Sequence, residues 1–258
     1  MFAIISDIHS NLEALTTVLA DIENRGIKKV FCLGDIVGYG PNPKECLDLV
    51  IEKAQACVMG NHDYAVLYEP TNFNLGAERA SFWTRGELEK EQDPKRRANR
   101  WKYLGEQKMR LTIEPDQNGQ DFIMDMVHAS PRRPINEYIF PDDVYTSPSK
   151  ITAQFSKINH VCFIGHTHLP GVFLDDPDFY APDELDNVYP IIAEERAVIN
   201  VGSVGQPRDK DNRASYVYVE DNKVNFVRLD YDYETTAKKI YDIDQLDNFE
   251  GDRLGEGR

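Results

Sequence analysis

Residues 29–41 read KVFCLGDIVGYGP and join an apolar, strand-like run to a loop rich in glycine. One glycine separates the apolar run from Asp35, so a buried strand is predicted to end beside a charged residue. In an α/β protein the carboxyl ends of parallel strands form the edge of the sheet at which ligands bind. We therefore expect Asp35 to belong to a ligand site, and the rest of the chain to supply its partners.

Strand and helix signals alternate on both sides of this stretch. FAIIS at 2–6 and ACVM at 56–59 read as strands, and helical spacing of apolar residues predicts helices over about 11–25 and 43–54. The strands are apolar nearly throughout, which is typical of central strands that are buried on both faces. The pattern predicts an α/β fold that begins β-α-β-α-β.

The remainder of the chain is predicted to be helical first and strand-rich afterwards. Residues 71–108 read as a charged helical segment, and its basic stretch at 95–102 is predicted to be a solvated helix face that neighbouring acidic residues can pair with. RLTIEP and DFIMDMVHAS, separated by the turn DQNG at 116–119, predict an antiparallel hairpin. The acidic segment 175–187 lacks the spacing and glycine of an EF-hand and is predicted to be an exposed loop.

Charge and cysteine usage restrict the partners and the compartment. The 258-residue chain has a net charge of -15, so its surface as a whole should repel nucleic acid and anionic membranes, and a phosphate-bearing substrate needs a locally positive site. Four scattered cysteines without a CxxC pair are typical of reduced, buried thiols. No secretion signal or membrane-length apolar run is visible, so we expect a soluble, cytoplasmic protein; the sequence does not indicate an oligomeric state.

Histidines gather at the ends of the strand-like runs. Five of the six histidines lie there: His9, His62, His128, His166 and His168. Asp-x-His at 7–9 and His-x-His at 166–168 each place two donors at i and i+2, on one side of an extended segment. Imidazole and carboxylate together favour Mn, Fe, Zn or Ni over Ca. Asp35 can bridge two cations and Asn61 offers an amide oxygen, so the donors exceed the needs of one ion.

In order, these motifs resemble those of the calcineurin-like metallophosphoesterase superfamily. The chain contains its Asp-x-His, Gly-Asp, Gly-Asn-His-Asp, lone His and Gly-His-x-His elements, and NVGSVGQPRD is similar to the YfcE-type phosphodiesterase branch. The resemblance implies two packed mixed β-sheets flanked by helices, an α/β/β/α sandwich. It implies one metallophosphoesterase domain over 1–248 with a helical insertion at about 71–108, followed at 249–258 by a tail that we expect to be disordered.

The resemblance also implies roles for individual residues. One metal would be held by Asp7, His9, Asp35 and His168, and the other by Asp35, Asn61, His128 and His166. The ions would be Mn or Fe, with Zn, Ni and Mg as alternatives, and a hydroxide that bridges them would attack phosphorus. His62 would stabilise the transition state and protonate the leaving oxygen, with Asp63 orienting it.

One departure from the family pattern bears on the substrate. Related protein phosphatases and diadenosine tetraphosphatases have Gly-Asp-x-Val-Asp-Arg-Gly, whose arginine clamps a phosphoryl group, whereas this chain has GDIVGYG. Arg208, or Arg132 and Arg133, could replace that arginine, or these residues could form surface salt bridges. We predict a phosphodiesterase that acts on a small or nucleotide-like substrate. A phosphomonoesterase or protein phosphatase, a dinucleoside polyphosphate hydrolase and a non-catalytic scaffold are the alternatives, and the complete set of ligands with His62 argues against the scaffold.

Overall fold

The computed structural model describes residues 1–115 and 120–258. The strands are β1 Phe2–Ile5, β2 Val30–Cys32, β3 Ala56–Cys57, β4 Arg110–Ile113, β5 Met124–Val127, β6 Val161–Ile164, β7 Gly171–Leu174, β8 Asp178–Tyr180, β9 Val188–Pro190, β10 Ala197–Asn200, β11 Ala214–Glu220 and β12 Lys223–Leu229. The helices are α1 Leu12–Asn24, α2 Pro43–Lys53, α3 Asn61–Leu67, α4 Leu75–Glu89, α5 Pro94–Glu106, α6 Asp143–Thr146, α7 Pro148–Phe155, α8 Tyr233–Tyr241 and α9 Asn248–Glu256. No helix in these two ranges is both long enough and apolar enough to cross a membrane.

Two six-stranded mixed sheets are present in the described residues. The first has the order β3-β2-β1-β11-β12-β9 and the second β4-β5-β6-β10-β7-β8. β1, β2 and β3 are parallel, as are β5, β6 and β10, and the other pairs are antiparallel. The predicted pairing of β4 with β5 is confirmed, and its turn at 116–119 lies outside the described residues.

Alternate side chains of the central strands belong to different cores. In β1, Phe2 and Ile4 pack with Phe163 of β6 between the two sheets, whereas Ala3 and Ile5 pack in the core that contains α1 and α2. In β6, Cys162 and Ile164 pack with α7 on the opposite face of the second sheet. Every residue of β1 and β2 is buried, as predicted from their apolar sequences, whereas β3 lies at the edge of its sheet and Ala56 is only partly buried. The two packed sheets with flanking helices confirm the α/β/β/α sandwich.

Two segments differ from their predicted conformations. The tail 249–258 is not disordered, because α9 occupies most of it and packs on α8, with Leu254 only 4% exposed. Gly251 permits this contact, since a Cβ atom there would lie 2.5 Å from the Tyr241 ring. The acidic segment 175–187 is not wholly a loop, because its residues form β8 and a 3-10 helix at Pro182–Leu185.

The basic stretch at 95–102 lies on α5 and is only partly a solvated face. Arg100 is 3% exposed and joins α5 to α2 through two hydrogen bonds to Asp48, of 2.8 and 2.7 Å. It also donates a 2.6 Å hydrogen bond to Glu91, one of the acidic neighbours that we expected to pair with the stretch. Because a buried cation needs such partners, Arg100 stabilises the packing of the helical segment rather than offering a surface charge.

Candidate metal centre

Every predicted metal ligand lies just after the carboxyl end of a strand. Asp7 and His9 follow β1, Asp35 follows β2 and Asn61 begins α3 after β3, all in the first sheet. His128 follows β5, and both His166 and His168 follow β6, in the second sheet. Because these strands run parallel within each sheet, their ends bring residues 160 positions apart to one edge.

The backbone around these side chains is turned rather than extended. Asp7, His9, Asp35, His166 and His168 all have positive φ values, between 49° and 67°. The expectation that Asp-x-His and His-x-His lie on extended segments is therefore wrong, because both motifs fall after their strands have ended. Positive φ is unfavourable for non-glycine residues and concentrates at functional sites. The turns let neighbouring side chains point to one place.

Glycines make room for the turns. A Cβ atom on Gly60 would lie 2.1 Å from both the backbone nitrogen and Oδ1 of Asp35, and one on Gly165 would lie 2.3 Å from Asp7 Oδ2. The Gly-Asn-His-Asp and Gly-His-x-His motifs therefore need their glycines because the loops approach the two carboxylates closely.

The first cluster contains Asp7, His9 and His168. The Nε2 atoms of His9 and His168 are 3.1 Å apart, and Asp7 Oδ1 lies 3.8 and 3.2 Å from them. Asp35 Oδ2 lies 3.8 Å from His9 Nε2 and so borders the same space.

The second cluster contains Asn61, His128 and His166. His128 Nε2 lies 2.9 Å from Asn61 Oδ1, 3.2 Å from His166 Nδ1 and 3.3 Å from Asp35 Oδ2. The same oxygen of Asp35 thus faces both clusters, while its Oδ1 accepts a 2.8 Å hydrogen bond from the backbone nitrogen of His62.

Hydrogen bonds to backbone carbonyls fix three of the imidazoles. The Nδ1 atoms of His9, His128 and His168 face the carbonyl oxygens of Val37 (3.3 Å), Leu33 (2.9 Å) and Gln206 (2.5 Å). Since a carbonyl can only accept, each Nδ1 carries a proton, and Nε2 is the atom of each ring that faces the cluster and can present a lone pair to a metal.

This arrangement fits cations. The lone pairs of His9 and His168 meet at 3.1 Å with no proton between them, and Asp7 Oδ1 is buried without a hydrogen-bond partner in the described part of the chain. Each triad, Asp7–His9–His168 and Asp35–His128–His166, offers one ligand atom per residue, all within 4.8 Å of one another. A divalent ion in each cluster would satisfy these atoms, and Asp35 Oδ2 would contact both ions.

Burial and charge set the protonation of the metal-free clusters. Burial lowers the pKa of His9, His166 and His168, so these rings are neutral and ready to bind a metal. Burial opposes the charged form of Asp7 as well, but its histidine neighbours, chiefly His168, outweigh this and lower its pKa to about 2. His128 is the exception, because its carboxylate neighbours, chiefly Asp35, overcome its burial and raise its pKa to about 9.

His62 lies beside both clusters in an aromatic cage. It is 4% exposed, and its ring centroid is 4.4 Å from that of Tyr39, 4.7 Å from that of Phe73 and 4.9 Å from that of His9. Burial lowers the pKa of His62 to about 4, so the ring is neutral at neutral pH and still has one N–H to donate. A phosphate anion beside the ring would raise this pKa, which favours protonation of a leaving oxygen.

Asp63 contacts the backbone of two loops beside His62. Its carboxylate accepts hydrogen bonds from the backbone nitrogens of Ile36 (3.0 Å), Val37 (3.3 Å) and Gly60 (3.2 Å). Nδ1 of the His62 ring has no hydrogen-bond partner among the described residues. Asp63 therefore ties the Asp35 loop to the start of α3 and positions His62 through the backbone rather than by a bond to its ring.

The three candidate arginines lie in different surroundings. Arg208 is partly buried, donates hydrogen bonds of 3.2 and 2.6 Å to Gln206 Oε1 and lies over the Tyr39 ring at 5.9 Å. Its charge contributes to the lowered pKa of His62, so it acts on the site electrostatically. Arg132 forms an ion pair with Glu137, as expected if it forms a surface salt bridge rather than a phosphoryl clamp. Arg133 is exposed.

Sequence reasoning missed the support that α9 gives to the site. Glu250, 4% exposed, accepts a 2.9 Å hydrogen bond from Gln206 Nε2, and the Gln206 carbonyl in turn orients His168. It also missed Tyr138, whose ring stacks on His166 with a centroid separation of 4.0 Å. Neither residue belongs to a motif, so only the tertiary structure reveals them.

The chain belongs to the calcineurin-like phosphoesterase family, whose model matches residues 1–170, and it is a metal-dependent phosphoric ester hydrolase. It is 40% identical over 263 residues to an uncharacterized protein of Methanocaldococcus jannaschii, covering 100% of this chain and 98% of that protein. The narrower assignment to the YfcE-type branch stays a prediction.

Two solved structures match the whole chain. A metallophosphoesterase from Sphaerobacter thermophilus is 34% identical with a TM-score of 0.78, over 100% of this chain and 98% of that one. A hypothetical protein from Pyrococcus horikoshii OT3 has a TM-score of 0.76 at 19% identity, over 100% of this chain and 99% of that one, and supports the fold alone.

Proposed function

We propose that this protein is a dimetal phosphodiesterase that acts on a small or nucleotide-like substrate. The observation that carries the proposal is the shared position of Asp35 Oδ2, which lies 3.8 Å from His9 Nε2 in one cluster and 3.3 Å from His128 Nε2 in the other. A carboxylate oxygen between two sets of metal donors is the arrangement that a two-ion site requires. Mn or Fe suits the mixed nitrogen and oxygen donors.

When bound, two such ions would polarise phosphate oxygens and acidify a water molecule between them. Two further tasks fall to residues of the chain. The phosphate is positioned through the two ions, which would be held by Asp7, Asp35, Asn61 and the four histidines. His62 donates its N–H to the leaving oxygen. Tyr39 and Phe73, whose rings pack against His62, limit the access of water to it.

Charge favours a diester over a monoester. Two divalent ions with Asp7 and Asp35 leave about +2, which a singly charged diester meets without further cations, whereas a dianionic monoester gains more from an arginine clamp. The loop GDIVGYG lacks that arginine, and Arg208 is engaged with Gln206 and Tyr39.

The test is the ratio of kcat/KM for bis-nitrophenyl phosphate to that for nitrophenyl phosphate with Mn. We expect a ratio of at least about ten, or about 1.4 kcal/mol of transition-state stabilisation. The matched variants are Arg208→Ala and, as a control, Arg25→Ala, which removes a cation just after α1 that is ion-paired with Asp21. If the unaltered protein prefers the monoester and Arg208→Ala prefers the diester, Arg208 is the missing clamp and the protein is a monoesterase. No turnover of either ester by metal-loaded protein would favour the scaffold.

A further inference from the structure

A depression of about 280 Å³ opens beside the candidate metal centre. Asn61 and Phe73 both line it. Asn61 Oδ1 faces the second cluster, 2.9 Å from His128 Nε2, and the Phe73 ring lies 4.7 Å from that of His62. The depression therefore borders a proposed metal ligand, and the Phe73 ring in its wall packs against His62, the residue that we propose donates to the leaving oxygen. A group that leaves from the phosphate is expected to lie there.

About half of its wall is apolar. Tyr64 and Phe73 contribute aromatic rings, Met109 a thioether and Ile135 an aliphatic side chain. Met109 is 50% exposed, which is high for an apolar residue beside a functional site. Aromatic faces and a thioether suit a flat ring. At about 30 Å³ for each liquid water, the depression has room for roughly nine waters, which is ample for a nucleobase.

The polar groups of the wall restrict the ligand further. Glu69 is exposed and lies two residues after the end of α3, and its carboxylate can only accept hydrogen bonds when ionised. Asn136 contributes an amide. The Glu69 charge would repel a second phosphate. The chemistry therefore selects a flat ring that carries N–H donors and no additional negative charge.

We propose that this depression binds the leaving nucleoside of a phosphodiester, with preference for a base that has an exocyclic amino group directed at Glu69. This inference rests on the proposed function. In the reaction, an oxygen from water bonds to phosphorus and the bond between phosphorus and the nucleoside oxygen breaks. That oxygen takes a proton, which leaves a free nucleoside and a phosphomonoester.

The first experiment compares the methyl phosphodiesters of adenosine and of purine riboside, esterified at the 5′ oxygen, because these bases differ only in the amino group. We expect adenosine and methyl phosphate as products, and kcat/KM about tenfold higher for the adenosine ester. Glu69→Ala removes the acceptor and should bring this ratio close to one, whereas Glu52→Ala, which removes an exposed carboxylate on α2, should leave it unchanged. Release of AMP and methanol, or a ratio unaffected by Glu69→Ala, would overturn the proposal.

The second experiment measures equilibrium binding of adenosine to the purified protein by calorimetry. Phe73→Leu should weaken binding by about tenfold, because base–aromatic stacking is lost, whereas Tyr145→Leu, at a ring that is 79% exposed on α6, should not. If bis-nitrophenyl phosphate is hydrolysed but adenosine does not bind, the proposal of a nucleoside pocket is wrong and the proposed phosphodiesterase activity is still supported. If adenosine binds but no diester is hydrolysed, the proposed function is wrong instead.

Discussion

Replacement of His62 by alanine should lower kcat without removing metal. The ring is 4% exposed inside its aromatic cage, yet its Nδ1 has no hydrogen-bond partner in the described chain, which indicates a group held ready for substrate. Loss of a positioned acid or hydrogen-bond donor costs on the order of a hundredfold in kcat, or about 2.7 kcal/mol. The backbone nitrogen of His62 donates a 2.8 Å hydrogen bond to Asp35 Oδ1, and alanine keeps that nitrogen. Two ions should therefore remain.

The assay is steady-state turnover of a diester with a poor leaving group, with metal content measured on the same samples. Gly38→Ala provides a matched perturbation, because a Cβ atom there would lie 2.4 Å from His62 Nδ1 and displace the ring without altering its chemistry. Both variants should lose kcat with two metals bound. Near-normal turnover of the poor leaving group by His62→Ala would refute the role, and loss of metal would show that the ring is structural.

Three further predictions follow from the contacts around the site. Gly60→Ala should lower metal affinity by at least about tenfold, measured by competition with a chelator, because its Cβ would lie 2.1 Å from the Asp35 Oδ1 atom; unchanged affinity would contradict the close approach. Glu250→Ala should lower the free energy of unfolding by about 1–3 kcal/mol in denaturant titrations because Gln206 loses its buried acceptor, and an unchanged value would mean that α9 does not stabilise the loop. Metal binding at pH 7 should release about one proton, because the pKa of His128 is raised to about 9 in the metal-free chain and only its neutral ring binds metal. Metal affinity should therefore rise with pH up to about 9. Calorimetry in buffers of different ionisation enthalpy measures the release, and its absence would show that His128 is already neutral.

The ligand positions could be predicted from sequence because each one follows an apolar run. Asp35 after β2 and His166 after β6 stand where strand ends must meet, and the order of the motifs identified the family that connects them. The conformation of the motifs could not be predicted in this way. Asp7 and His168 adopt positive φ values that their residue types disfavour, and only the surrounding contacts hold them there.

The parts that could not be predicted depend on tertiary packing. The tail has few apolar residues, and its order comes from a close contact between Gly251 and Tyr241 that no local pattern reveals. The contacts of Asp63 show the same limit, because the sequence does not reveal that its carboxylate accepts hydrogen bonds from the amides of another loop. The depression beside Asn61 likewise combines three segments that are far apart in the chain.

The most direct test of the account is anomalous diffraction from crystals of Mn-loaded protein. We expect two peaks roughly 3.5–4 Å apart. Asp35 Oδ2 should lie within bonding distance of both, with His9 and His168 on one ion and His128 and His166 on the other. A single peak, or two peaks of which only one contacts Asp35, would contradict the dimetal centre on which the proposed phosphodiesterase depends.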